Sequence, residues 1–343
     1  MSNVSNPPQE DPVGYFIEDL TFHGKSDRTL ESYERVLRRF EAFCTDRDCT
    51  PATASQRDCM AFVHSLRGPL EPSTVASYAS YVHRFYAYMN QTGTLDSNPM
   101  KLVLSEMDES IDTDPRRRDI SIEQMRAFVG DLMHPLEQAV VVLLLKTGLR
   151  VGECCNLDLR DCNLTTESVR REYDYTHRPQ LDGRPDSIFV PAEIDTGQLV
   201  NGEQRTAANK RKRVTVVPID EELSEVLTRW LAIRPDTRSP AEPLFLDTGR
   251  KWGQRLTPPQ VRRMVRTHAK QRGWYRVGGG AEENVTPHYF RHFFTTYLRY
   301  RTGDRGIVKY LRGDVAQDII DTYTHDWGDR VRDVYEQSIY SLL

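Results

Sequence analysis

Arg150, Lys210, His288, Arg291 and Tyr323 are the side chains in this sequence whose types and settings could do chemistry on a phosphate. A guanidinium presents a planar fork of donors that fits two phosphate oxygens. Arg150 follows Gly148 at the end of an apolar run over 136–145, so a rigid element would hold it. His288 and Arg291 belong to Thr286-Pro287-His288-Tyr289-Phe290-Arg291-His292. Threonine suits a helix N-cap and proline the first turn, and a spacing of three puts His288 and Arg291 on one helix face. Both would lie near the helix start, where free amides favour an anion. Lys210 opens a basic run into a predicted strand over 214–217, closed by Pro218. An amine there could protonate a leaving oxygen, and Lys212 would share its strand face, so the sequence does not separate the two. Tyr323, in Asp321-Thr322-Tyr323-Thr324-His325, carries a hydroxyl that could attack phosphorus. Taken singly, each has an ordinary reading: a solvated cation, a satisfied structural histidine, a core or surface tyrosine.

The elements that must position these groups are legible in part. With 343 residues the chain is long enough for two domains with separate cores. Helical periodicity runs over 13–91, with apolar stripes Leu30, Tyr33, Leu37, Phe40 and Val75, Tyr78, Val82, Phe85, Met89. Pro72-Ser73 starts the last of these helices and Gly93 ends it; three or four short helices are expected. Residues 1–11 read as disordered, and 106–118, ending in Pro115 and three arginines, as an exposed linker whose basic end could touch phosphates. Ser121 and Gln124 fit a capping box at the start of the second domain. The helix over 136–145 is apolar on all sides and must be central to the core. Strands are expected at 188–190, 214–217 and 244–246, while 167–206 has no readable pattern. The fold class is therefore mostly α with a small antiparallel β-sheet.

Thr257-Pro258-Pro259-Gln260 caps a further helix with Val261, Met264, Val265 and His268 on one face. Arg262, Arg263, Arg266 and Lys270 occupy the other, which suits a helix packed on the core and facing a phosphate backbone. The net charge of −4 hides this segregation: 248–281 holds no acid, and the acidic excess lies elsewhere, as in 106–114. None of the 6 cysteines forms a C-x-x-C pair, so reduced structural thiols are expected and no metal site. No secretory signal and no apolar run long enough for a bilayer are visible, which points to the cytoplasm.

Taken in chain order, these pieces resemble the tyrosine recombinases of the phage integrase family. Thr147-Gly148-Leu149-Arg150-Val151-Gly152-Glu153 looks like the family's first arginine motif, His288-Tyr289-Phe290-Arg291 matches its H-x-x-R, and Tyr323-Thr324-His325 resembles its nucleophile box. Lys210 precedes Pro218 by a spacing similar to the β-hairpin lysine. One departure stands out: where the family has a histidine or tryptophan nine residues before the tyrosine, this chain has Asp314. A carboxylate there would repel the scissile phosphate unless protonated or paired, with Arg312 as the nearest cation in sequence and His292 or His325 as substitutes for the missing hydrogen bond.

The resemblance implies a two-domain DNA clamp, with a helical core-binding domain over 12–105 and an α+β catalytic domain over 119–343. It implies attack by Tyr323 to give a 3′-phosphotyrosyl link, charge stabilisation by Arg150 and Arg291, a proton from Lys210 and a proton-handling role for His288. Lys212, Arg213, Arg262, Arg263, Arg266 and Lys270 would contact DNA. No metal and no cofactor are expected. The partner would be double-stranded DNA with inverted-repeat sites, bound as a synaptic homo-tetramer. The tail over 329–343, with Val331, Val334, Tyr335 and Ile339 at helical spacing, would dock on a neighbouring protomer or on its own core. A type IB topoisomerase, a DNA-binding protein with a degenerate site and a metal-dependent nuclease are the competing readings.

Overall fold

The computed structural model describes residues 11–111, 116–173, 176–314 and 327–343. The chain divides into two compact units, Met1–Pro115 and Arg116–Leu343.

The first unit holds five helices among its described residues: α1 (Pro12–Phe22), α2 (Asp27–Thr45), α3 (Gln56–Leu66), α4 (Pro72–Gln91) and α5 (Met100–Glu106). Each starts where local chemistry allows. Ser55 and Asp58 form a reciprocal capping box on α3, and Pro72 opens α4. The apolar stripes meet in a core of edge-to-face aromatics, with Phe16 set 5.5 Å from Phe85 and Phe40 set 4.9 Å from Phe62. Asp11, expected to be disordered, instead caps α1 through the Gly14 N–H and pairs with Arg38 at 2.8 Å. That second partner lies far along the chain, where helix-start patterns do not reach.

The second unit is built around α7 (Pro135–Thr147), preceded by α6 (Ile122–Gly130) behind the expected Ser121–Gln124 box. Every residue from Ala139 to Thr147 is buried, because α7 packs against α8 (Val151–Asn156), α10 (Glu221–Leu231), α11 (Pro258–Gln271) and α12 (Pro287–Thr302). The remaining helices are α9 (Glu167–Glu172), α13 (Arg305–Arg312) and α14 (Trp327–Ser338). Strands β1 (Cys162–Asn163), β2 (Ser187–Val190) and β5 (Thr215–Pro218) form an antiparallel sheet in that order, with Ile188 opposite Val217. A hairpin, β3 (Leu199–Val200) and β4 (Glu203–Gln204), turns at Asn201 (φ 53°) and Gly202 (φ 78°). The segment at 244–246, expected as a strand, makes only an isolated bridge between Leu246 and Arg255. Its burial comes instead from packing, with the Leu244 carbonyl accepting from the Trp230 indole at 2.9 Å.

Lys146 ends α7 with no exposed surface, donating to Asp220 at 2.5 Å and to the Tyr340 carbonyl at 2.6 Å, with Glu222 also paired. A buried ammonium needs such partners. Here they fasten the C-terminal tail to the chain's own core: Val331, Tyr335, Tyr340 and Leu342 are all buried. Arg118, at the end of the expected linker, is likewise tied down, donating to the Glu283 carbonyl at 3.3 Å. The free cysteines are buried apart from the partly exposed Cys49. Among the described residues no helix is long and apolar enough to cross a membrane, and no group of three or more His, Cys, Asp or Glu could hold a metal.

Candidate active site

Arg150 occupies the N-cap of α8, where the chain turns sharply out of α7. The turn requires Gly148: its φ of 63° is left-handed, and a Cβ would sit 2.3 Å from the Phe294 ring. Glu153, fully buried, holds Arg150 twice, accepting from its backbone N–H at 2.9 Å and its Nη1 at 3.1 Å.

Arg291 comes from the second turn of α12 and is almost wholly buried. Its Nη1 donates to the Gly148 carbonyl at 2.6 Å and the Arg312 carbonyl at 3.1 Å. Its Nη2 reaches Asp314 Oδ1 at 2.9 Å, and Arg150 Nη2 reaches the same oxygen at 3.1 Å. Arg312 Nε lies 3.0 Å from the other carboxylate oxygen. Two guanidiniums from distant motifs thus converge on one anionic oxygen, and the aspartate that departs from the family pattern is paired with three arginines. Burial first, and then repulsion from Arg150 and Arg312, pushes Arg291 down to about 9, still a cation at neutral pH.

His288 sits at the start of α12, one turn before Arg291. Thr286 holds the cap position without a side-chain hydrogen bond, so Pro287 and the α12 packing, rather than a capping bond, start this helix. Burial lowers the His288 pKa, and the nearby charges of Arg117, Arg291, Arg150 and Arg312 lower it further. The ring is therefore neutral at pH 7 and able to accept a proton. The unfolded chain would bind that proton near 6.5 and the folded chain only below it, so acidification through this range destabilises the fold. NMR titration of the free protein should give a His288 midpoint below 6.5; a midpoint at or above that value would mean that neither burial nor the arginine cluster governs the ring.

Lys210 is exposed and hydrogen-bonds to none of the described residues. The strand behind it begins only at Thr215, so the expectation that Lys210 and Lys212 share a strand face is corrected: neither is on a strand. The chain before β5 is held outside any strand by two backbone bonds, from the Asn209 N–H to the Ile194 carbonyl at 2.7 Å and from the Glu193 N–H to the Arg211 carbonyl at 3.3 Å, and by side chains. Asn209 Oδ1 accepts from Asn156 at 2.8 Å, and Asn209 Nδ2 donates to the Pro191 carbonyl at 2.8 Å. Arg211, not singled out from the sequence, is buried beside Glu153 at 3.3 Å. Arg213 lies over the Tyr310 ring at 4.8 Å, while Lys212 is exposed.

On α11, Val261, Val265 and Ala269 are buried and Arg262, Arg263, Arg266 and Lys270 are exposed, as an amphipathic basic helix requires. The acid-free stretch around it is less uniform than its composition suggests. Arg255 is buried against Asp158 and Glu203, both at 2.6 Å, and Arg272 pairs with Asp131. Arg205 joins the same Asp158 cluster at 2.6 Å and anchors the β3–β4 hairpin. His292 approaches Thr296 at 3.4 Å. Tyr323 and His325 lie outside the described residues, as does the helix-like stretch 315–320.

Known proteins resemble this chain in sequence and in fold. Residues 190–328 match the phage integrase family, a range that contains Lys210, His288, Arg291, Asp314 and Tyr323, and residues 14–94 match its N-terminal SAM-like domain. The tyrosine recombinase XerD of Listeria innocua is 26% identical over 324 residues, covering 92% of this chain and 93% of the relative. XerA of Pyrococcus horikoshii is 24% identical over 323 residues, covering 94% and 92%. Among solved structures, the Tn1549 transposon integrase in complex with a circular intermediate DNA superposes with a TM-score of 0.62 at 18% identity, covering 94% of both chains. A lambda integrase dimer bound to a core site gives 0.58 at 13%, covering 96% of this chain and 78% of that one. The chain belongs to the phage integrase family of tyrosine recombinases, enzymes of site-specific DNA recombination.

Proposed function

We propose that this protein cuts and rejoins double-stranded DNA at inverted-repeat sites through a 3′-phosphotyrosyl intermediate, acting in the cytoplasm as a homo-tetramer on synapsed DNA. The observation that carries the reading is the convergence of Arg150 and Arg291 on a single carboxylate oxygen of Asp314. A seat in which two forked donors hold one anionic oxygen suits a non-bridging phosphate oxygen equally well.

In this mechanism the Tyr323 hydroxyl attacks phosphorus and gives its proton to His288, which is neutral at pH 7. The P–O bond to the 5′ oxygen breaks, and Lys210 supplies the proton that makes a free 5′-hydroxyl. Arg150 and Arg291 offset the charge that grows on the non-bridging oxygens. The bond energy stays in the phosphotyrosyl link, so religation by the returning 5′-hydroxyl needs no ATP. The reading requires neither metal nor cofactor. Exposed Lys212 and the outer face of α11 would bind the phosphate backbone, and α1 to α5 would form the core-binding half of the clamp. Incubation with a nicked suicide duplex in chelator, then a denaturing gel, should show a covalent protein–DNA adduct; its absence, with binding intact, favours a DNA-binding protein instead.

Asp314 sets a distinct expectation. Its carboxylate occupies the anion seat and must yield to the phosphate. Opposite charges a few ångströms apart near a surface interact by roughly 4 kcal/mol, and part of that attraction is lost to the phosphate's competitor. Asp314→Asn keeps the shape and removes the competing charge, so the cleavage rate at subsaturating DNA should rise about 10-fold, or about 1.4 kcal/mol. A 10-fold fall with unchanged binding would make the carboxylate a working part of the reaction.

A further inference from the structure

We infer that Arg211 is a positioning residue that fixes Lys210 for proton donation; this rests on the recombinase reading. Lys210 is exposed on a chain segment that lies outside any strand, yet both of its neighbours are buried. On one flank Asn209 is held by Asn156, by the Pro191 carbonyl and, through its own N–H, by the Ile194 carbonyl at 2.7 Å. On the other flank Arg211 has no exposed surface. Its guanidinium donates to the Leu311 carbonyl from Nη1 and Nη2, each at 3.2 Å, and to Glu153 Oε2 at 3.3 Å.

Those partners belong to two other motifs of the site. Glu153 is the carboxylate that holds Arg150, and Leu311 lies in the last turn of α13, just before Arg312 and Asp314. The end of α13 is shaped around this side chain: Gly313 has φ 68°, and a Cβ there would fall 2.5 Å from Arg211 Nη1. Arg211 therefore ties the lysine's backbone to the carboxylate that holds Arg150 and to the turn that carries Asp314. Neutralising Glu153 alone would not need the contacts to Leu311. A proton donor held at both neighbours loses little entropy when the leaving oxygen arrives.

The test uses duplexes bearing the cleavage site mapped by covalent trapping, with either oxygen or sulfur as the bridging 5′ atom. A thiolate leaves without a proton, so a defect in proton donation disappears on the sulfur duplex, whereas a defect in fold or in phosphate grip persists. Arg211→Met should slow single-turnover cleavage of the oxygen duplex on the order of 10²-fold, the scale of a catalytic group misplaced by about an ångström. On the sulfur duplex it should come within roughly 3-fold of the unsubstituted protein, as Lys210→Ala should. Equal losses on both duplexes would overturn the inference and leave Arg211 a structural counter-charge. Should Arg211→Met fail to fold, Arg211→Lys, which keeps a cation near Glu153 but not the two-armed reach to Leu311, is read by the same ratio. If the unsubstituted protein forms no adduct on either duplex, the recombinase reading falls and takes this inference with it.

Discussion

Tyr323→Phe should abolish the covalent DNA adduct while leaving DNA affinity unchanged. Loss of a covalent nucleophile typically costs on the order of 10⁶-fold in rate, which places the variant below detection in any gel assay. The C-terminal region contains two other tyrosines that a sequence argument alone leaves open, Tyr335 and Tyr340. Both are fully buried, and their hydroxyls donate to the backbone carbonyls of Lys146 and Leu145. Burial drives both pKa values well above the ordinary tyrosine value, so neither can become a phenolate without unfolding the tail. Tyr323→Phe thus has no ready substitute. Persistent adduct in that variant, traced to a peptide carrying Tyr335, would require α14 to leave its own core. Binding should be measured in the same samples, because the basic face of α11 and the arginine pair are untouched by the loss of one hydroxyl.

What the sequence disclosed, and what it withheld, follows the range of the interactions involved. Helix starts are local: the Ser121–Gln124 and Thr257–Gln260 boxes, and the stop at Gly148, are set by residues within one turn. The all-apolar run of α7 could only be a central helix. The two arginine motifs were legible because each sits in a short, specific pattern. Arg211 and Arg205 were not, since an arginine inside a basic run carries no sign that it will be buried. Their partners, Leu311 and Asp158, lie far away in sequence. The β3–β4 hairpin did have a local signal: Asn201-Gly202 is the dipeptide that accepts positive φ at both turn positions. It was masked by the polar residues around it. The strand expected at 244–246 shows the converse error, because a short apolar run reports burial and not ladder pairing. Of the three arginines that pair with Asp314, only Arg312 is near it in the chain, so only that partner was legible.

Arg291→Lys should lower the cleavage rate on saturating DNA on the order of 10²- to 10³-fold, the cost of removing one transition-state donor. Lysine keeps the charge but not the geometry. Arg291 donates at once to the carbonyls of Gly148 and Arg312 and to Asp314, which a single ammonium at the end of a flexible stem cannot reproduce. Part of the effect will be structural: two buried carbonyls lose a donor, at roughly 1–3 kcal/mol each if nothing replaces it. The catalytic part is separable by its direction. A weaker fold lowers the melting temperature of the free protein, yet at a temperature where the variant is fully folded the single-turnover rate isolates the chemistry. Thermal stability offers a second check that needs no cleavage. Arg291 is held near 9 by burial and by the repulsion of Arg150 and Arg312, so an anion entering the seat relieves that repulsion. DNA should therefore raise the melting temperature of the unsubstituted protein more than that of Arg291→Lys at equal occupancy. A lysine variant that cleaves at near-normal rate would remove Arg291 from the reacting phosphate and leave it only the work of closing the turn at Gly148.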